Sequence, residues 1–204
     1  GCALRMASRH RHYWLLNGGF FVCGFHVAFV GTHLPAFLVD QGLDAHIGAW
    51  SLALIGLFNI LGSYLFGVWG GRHSRPWLLS FLYASRGIAM VIFLALPLSP
   101  LTALAFAATF GFLWLGTVPL TSGAVASMFG MSQLSTLYGI VFLSHQLGAF
   151  LGAWWAGRLF DQTGSYQLIW LISIGLAVIA SVLSALTRDH SAMPSRQVLC
   201  GSSA

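Results

Sequence analysis

The sequence predicts an all-α membrane protein of six transmembrane helices, and three observations carry that prediction. The chain is 57% hydrophobic and 6% charged, with mean hydropathy +0.82 and neither Lys nor Glu. A soluble domain carries about 25% charged residues, so too little polar surface is present to coat a water-soluble globule. Six apolar runs also reach the ~20 residues a helix needs to cross a ~30 Å hydrocarbon core. Finally, seven residues between His12 and Thr187 are formally charged, and Asp40, Asp44, Arg72, Arg75, Arg158 and Asp161 lie at or near the gaps between runs. The 20–30-residue apolar lengths exclude a barrel, whose strands would be shorter and alternating.

The elements follow in order. Gly1–His12 is basic and has no apolar stretch of its own, which makes it a cytoplasmic linker and not a cleavable signal. The spans are read at Tyr13–Val39, Ile47–Gly70, Trp77–Pro97, Leu101–Val125, Thr136–Phe160 and Tyr166–Thr187. Pro76 opens the third span in a first helical turn, where a missing N–H costs little. Pro97-Leu98-Ser99-Pro100 forces a tight reversal into the fourth. The fourth is read as one continuous helix bent at Pro119, whose missing N–H frees the Leu115 carbonyl for repair by the Thr117 hydroxyl. Gly164-Ser165 closes the fifth. Residues 188–204 contain Ser, are poor in apolar residues and are expected to be a mobile tail.

Six spans put both ends on one side. Arg5, Arg9, Arg11, Arg72, Arg75, Arg188 and Arg196 fall on that side, and Arg158 falls on the other beside Asp40, Asp44 and Asp161. The positive-inside rule makes the arginine-rich side cytoplasmic, with the chain in the plasma (inner) membrane. The net charge of +5 therefore calls for no nucleic acid. Cys2, Cys23 and Cys200 form no CxxC and no disulfide framework. Trp50 and Trp77 suit interfacial belts.

Arg86 stands apart because it alone lies within an apolar run. It is nine residues past Trp77, ~13 Å along a helix, too deep to snorkel. A cation there costs at least ~2.5–3.5 kcal/mol, which makes function the default reading. No Asp or Glu shares its depth, so its counter-charge is expected from a missing part of the protein, from water or from substrate. A guanidinium fork suits a carboxylate, so Arg86 is expected to hold a small organic anion; the alternatives are a tie to helix-end carbonyls or a helix boundary that lies elsewhere than read. His145, with Gln146 beside it, is the next candidate and could also carry a proton. His26 and His33 share one helix face but are two turns apart, too far to ligate one metal, and no cofactor or metal site is expected. Asn59 and Thr117 complete the mid-depth polar set, Asn59 also serving helix packing through Gly62 and Ser63.

Leu61-Gly62-Ser63-Tyr64-Leu65-Phe66-Gly67 and Leu151-Gly152-Ala153-Trp154-Trp155-Ala156-Gly157 match at an offset of 90. They lie on spans of opposite direction, as two inverted three-helix repeats of a transporter would place them. Close helix packing alone would also favour such glycines. The run Leu137-Tyr138-Gly139-Ile140-Val141-Phe142-Leu143-Ser144-His145-Gln146-Leu147-Gly148, continuing through Gly152 and Gly157 to Phe160-Asp161-Gln162-Thr163-Gly164-Ser165-Tyr166, resembles the eleventh helix and following loop of major facilitator superfamily transporters. The likeness is to the bacterial monocarboxylate-transporter-like and oxalate/formate-antiporter-like branch. Trp114-Leu115-Gly116-Thr117-Val118-Pro119-Leu120-Thr121 resembles its tenth helix and Tyr83-Ala84-Ser85-Arg86 its ninth. Gly67-Val68-Trp69-Gly70-Gly71-Arg72-His73-Ser74-Arg75 is similar to the superfamily's loop motif G-x-x-x-D-R-x-G-R, with Gly71 at the acidic position and Ser74 at the second glycine.

The resemblance implies the C-terminal six helices of a twelve-helix bundle, and a chain beginning with Gly is expected to be a piece of one. It implies secondary transport of a monocarboxylate or similar anion by alternating access, with substrate held between this half and a missing N-terminal half. No G-x-x-x-x-G-K-[ST] is present for ATP, so an ion gradient or exchange supplies the energy. Two other readings stand beside it. A haem or metal protein using His26 and His145 leaves Arg86 unexplained, and a non-transporting assembly protein predicts that Arg86 and His145 tolerate alanine.

Overall fold

The structure, a computed structural model, describes residues 2–189. A short α1 (Cys2–Ser8) is followed by α2 (Arg11–Asp40), α3 (Ala45–Gly70), α4 (Arg75–Ala95), α5 (Pro100–Phe112), α6 (Thr117–Phe129), α7 (Leu134–Thr163) and α8 (Gln167–Ala185). Six helical spans are long and apolar enough to cross a membrane, α5 and α6 together forming the fourth. The expected linker is helical over α1, and its last two residues already belong to α2. Ala7 is buried, and the Trp14 indole donates to the Ser8 carbonyl at 2.8 Å. The expected tail from His190 onward, with Arg196 and Cys200, lies outside the described residues.

Local chemistry sets the boundaries. Ser99 and Thr102 form a reciprocal capping box at the start of α5, with Pro100 in its first turn. Gly164 ends α7 at φ 65°, a left-handed conformation that favours glycine. Both ends of the described chain meet at one end of the bundle. There the Arg188 N–H donates to His12 Nδ1 at 3.3 Å, and Arg75 Nη1 donates to Ser127 Oγ at 2.5 Å while lying 3.6 Å from Asp189. The loops at 41–44, 96–99 and 164–166 lie at the other end.

The three broadest interfaces join α2 to α7, α3 to α5 and α4 to α8, so each pairs one of the first three spans with one of the last three. Glycine permits the first two. A Cβ on Gly24 would overlap the His145 carbonyl, and one on Gly152 would overlap that of Phe25. The same two contacts recur on the other pair, where Gly111 meets Ile55 and Gly62 meets Phe112. Ile55 and Gly62 are offset by 90 from His145 and Gly152, while Gly24 and Phe25 are offset by 87 from Gly111 and Phe112. The repeat suggested by the second and fifth spans therefore extends to the first and fourth. It is inverted, since α3 and α7 run in opposite directions.

Two apolar clusters fill the bundle. One holds Tyr13, Phe20, Leu79, Phe129 and Leu137; the other holds Phe29, Phe93, Phe106 and Trp170. The polar residues Arg86, Thr117, His26 and His145 are buried in the layer between them.

Candidate functional site at a broken helix

The fourth span is not continuous. Helix α5 stops at Phe112 and α6 starts at Thr117. Pro119 has no N–H to offer the Leu115 carbonyl, which removes one helical bond from that turn. Gly116 then lets the chain pass against Phe66 and Leu82, whose side-chain atoms would lie 2.5 Å and 3.1 Å from any Cβ there.

A break exposes carbonyls at the end of one helix and amides at the start of the next, and in an apolar layer these need partners. Arg86 supplies the first set. Its Nε donates to the Leu113 carbonyl at 2.9 Å, and Nη2 donates to Leu113 at 2.6 Å and to the Trp114 carbonyl. Asn59 supplies the second, its Oδ1 accepting the Leu115 N–H at 3.0 Å. The Leu115 carbonyl accepts the Val118 N–H at 2.9 Å. A tightened turn thus makes the repair expected of the Thr117 hydroxyl. Thr117 Oγ1 lies instead 3.1 Å from Cys23 Sγ, which also accepts from Arg86 Nη1 at 3.4 Å.

Arg86 is 0% exposed. Its guanidinium carbon sits 5.5 Å from the Tyr83 ring centroid and 5.9 Å from that of Phe110. Four of its five N–H groups are engaged by the two carbonyls and the sulfur. The fork expected to grip a carboxylate grips main-chain oxygens. Among the described residues no carboxylate pairs with it; the acids in ion-pair contacts are Asp44 and Asp189, with His46 and Arg75.

His145 packs between Phe20, at 4.8 Å between ring centroids, and Phe142, parallel at 5.6 Å. Its Nδ1 is 3.4 Å from Gln146 Oε1, and its buried Nε2 has no partner. Gln146 itself faces outward. His26 donates Nε2 to the Ser173 carbonyl at 2.9 Å, tying α2 to α8. His33 donates to Ala153 at 3.0 Å and accepts from the Tyr166 hydroxyl at 3.3 Å, toward the far end. Trp114 lies over Gly31 and edge-on to Phe110, while Trp50 and Trp77 are exposed near opposite ends. The structure thus gathers Arg86, Asn59 and Thr117 at one break and leaves His26 and His33 as ties between helices. Cys23 was missed by sequence reading. Its only signal was to be a cysteine in the middle of a span, and nothing in the chain linked it to Arg86.

Comparison with known proteins agrees with this architecture. Residues 5–197 match the Major Facilitator Superfamily. An uncharacterized MFS-type transporter, YcxA of Bacillus subtilis (strain 168), is 28% identical over 184 residues, covering 86% of this chain and 44% of the relative. Monocarboxylate transporter 12 of Mus musculus is 26% identical over 173 residues, covering 82% and 35%. The chain spans less than half the length of these relatives. Six apolar spans joined through an inverted repeat, with a sequence match over nearly the whole length, make this a multi-pass membrane protein that belongs to the Major Facilitator Superfamily of transporters.

Proposed function

We propose that this chain supplies the C-terminal six-helix half of a secondary transporter for small organic anions, monocarboxylates foremost, which works with an N-terminal six-helix half by alternating access. The observation that carries the reading is His145, buried mid-span with its Nε2 lacking a hydrogen-bond partner among the described residues. Arg86 holds the broken fourth span through two carbonyls and a sulfur and acts on the site by position, not by substrate contact. His145 is the direct contact, with an unpartnered Nε2 to donate to a substrate oxygen or to carry a proton, and Gln146 orients its ring. His26, Asn59 and Thr117 shape the site from behind. The name of the mouse relative, a monocarboxylate transporter, supports the substrate class. The arginine-rich end supports cytoplasmic termini in the plasma membrane.

The test is uptake and exchange by the intact protein in proteoliposomes, with a panel of monocarboxylates, dicarboxylates, sugars and cations. Saturable movement of a carboxylate is expected, with KM raised about tenfold when His145 is replaced by Ile. Movement of neutral or cationic solutes with no carboxylate competition would overturn the reading.

A further inference from the structure

The break in the fourth span has the form of a cation site whose occupant is part of the protein. The α5 carboxyl end presents the carbonyls of Leu113 and Trp114 to one point, and a helix end of this kind carries about half a negative charge. Cys23 Sγ and Thr117 Oγ1 close one side, and the rings of Tyr83 and Phe110 wall the rest at 5.5 and 5.9 Å. In transporters with discontinuous helices, such unwound carbonyls and helix ends hold the coupling cation. We propose that the Arg86 guanidinium is a resident replacement for that ion: it closes the helix break as a fixed positioning residue, so that the protein assembles and transports without sodium.

The partners of the break fit this assignment. Arg86 comes from the third span, Asn59 from the second and Cys23 from the first, so each of the first three spans contributes to a gap in the fourth. A diffusible ion would enter and leave with each cycle, whereas a guanidinium on α4 holds the two carbonyls in every state in which α4 and α5 stay packed. The inference goes beyond the transport reading: it assigns Arg86 to the helix break, where a carboxylate clamp would assign it to the substrate.

Two measurements on the intact protein keep those possibilities apart. The thermal midpoint in detergent needs no substrate. For the wild-type protein it is expected to be the same in sodium and in choline salts. Arg86→Ala should lower it, millimolar methylguanidinium should restore it, and urea, a neutral molecule of similar shape, should not. In proteoliposomes Arg86→Ala should reduce the maximal rate at least about tenfold while KM stays within about twofold, the pattern of a lost positioning group. Arg86→Lys keeps the charge but not the fork, and it serves where Arg86→Ala does not accumulate. It should give an intermediate midpoint and a reduced rate at unchanged KM. A sodium requirement in the wild-type protein, equal rescue by urea, or a raised KM at full maximal rate would each overturn the assignment. Absence of carboxylate transport by the wild-type protein would instead overturn the transport reading and leave the midpoint result standing.

Discussion

The first and fourth spans are counterparts in the repeat, yet one is a single helix of 30 residues and the other is two helices of 13. Both contain proline. Pro35 sits inside α2 without interrupting it, packed against Gly48, whereas the span that carries Pro119 breaks. Proline alone therefore does not decide the outcome. What differs is the company: Arg86 and Asn59 stand ready to satisfy the backbone around Leu113–Leu115, while the corresponding stretch of α2 keeps its helical bonds. The offset of 90 makes the point again, because the counterpart of Asn59 is Ala149, which faces an unbroken helix and has no amide to cap.

The comparison can be broken most forcefully at its symmetric glycines. Gly62→Leu and Gly152→Leu each drive a side chain into a backbone carbonyl of the paired helix. Each is expected to cost about 3 kcal/mol or more and to abolish a monodisperse peak on size-exclusion chromatography. If only one of the two did so, the equivalence of the interfaces would be wrong. A sharper contrast comes from the break. Asn59→Ala orphans the Leu115 N–H and should destabilise the protein by about 1–3 kcal/mol in thermal unfolding. Ala149→Ser, on the intact side, can turn its hydroxyl back to a carbonyl of its own helix and should cost less, about 0.5–1 kcal/mol.

Smaller effects test the chemistry. His145→Ile gives α7 the residue its counterpart carries at Ile55. It is expected to keep the fold and raise KM for carboxylate uptake about tenfold, the equivalent of ~1.4 kcal/mol of lost contact. Unchanged uptake kinetics would remove His145 from the site. Cys23→Ala should do least, lowering the thermal midpoint by the equivalent of about 1 kcal/mol, because Arg86 keeps its two carbonyls when the sulfur is gone.

Much of the fold was legible before any coordinates. Hydropathy placed the six spans, prolines and glycines placed most turns, and the L-G-x-x-x-x-G pattern hinted at the repeat. The break was not legible because Leu113-Trp114-Leu115 continues the apolar run, and hydropathy does not register a lost hydrogen bond. Gly116 and Pro119 were the only local cues, and Pro35 shows that such cues mislead. Of the site, Arg86, Asn59 and Thr117 were found as polar residues at depth, but their common target was not. That target is main-chain, and carbonyls have no letter in a sequence. Cys23 joined them by proximity across 63 and 94 residues of chain. The first and fourth spans share only Gly-Phe at the contact, too short a match to detect without the packing.

The interleaved pairing of the spans also bears on how the chain is made. During synthesis the first three spans enter the membrane before any of their principal partners exist. Arg86 reaches the bilayer with no carbonyl to bind, at an insertion cost of ~2.5–3.5 kcal/mol. Its relief is the turn at Leu113–Trp114, 27 residues later in the chain. Until that turn emerges, the third span is poorly held in lipid and is a natural client for the insertion machinery. A chain ending at Ala95 and released from the ribosome should therefore leave this span unusually easy to extract from the membrane, and one ending at Phe129 should not.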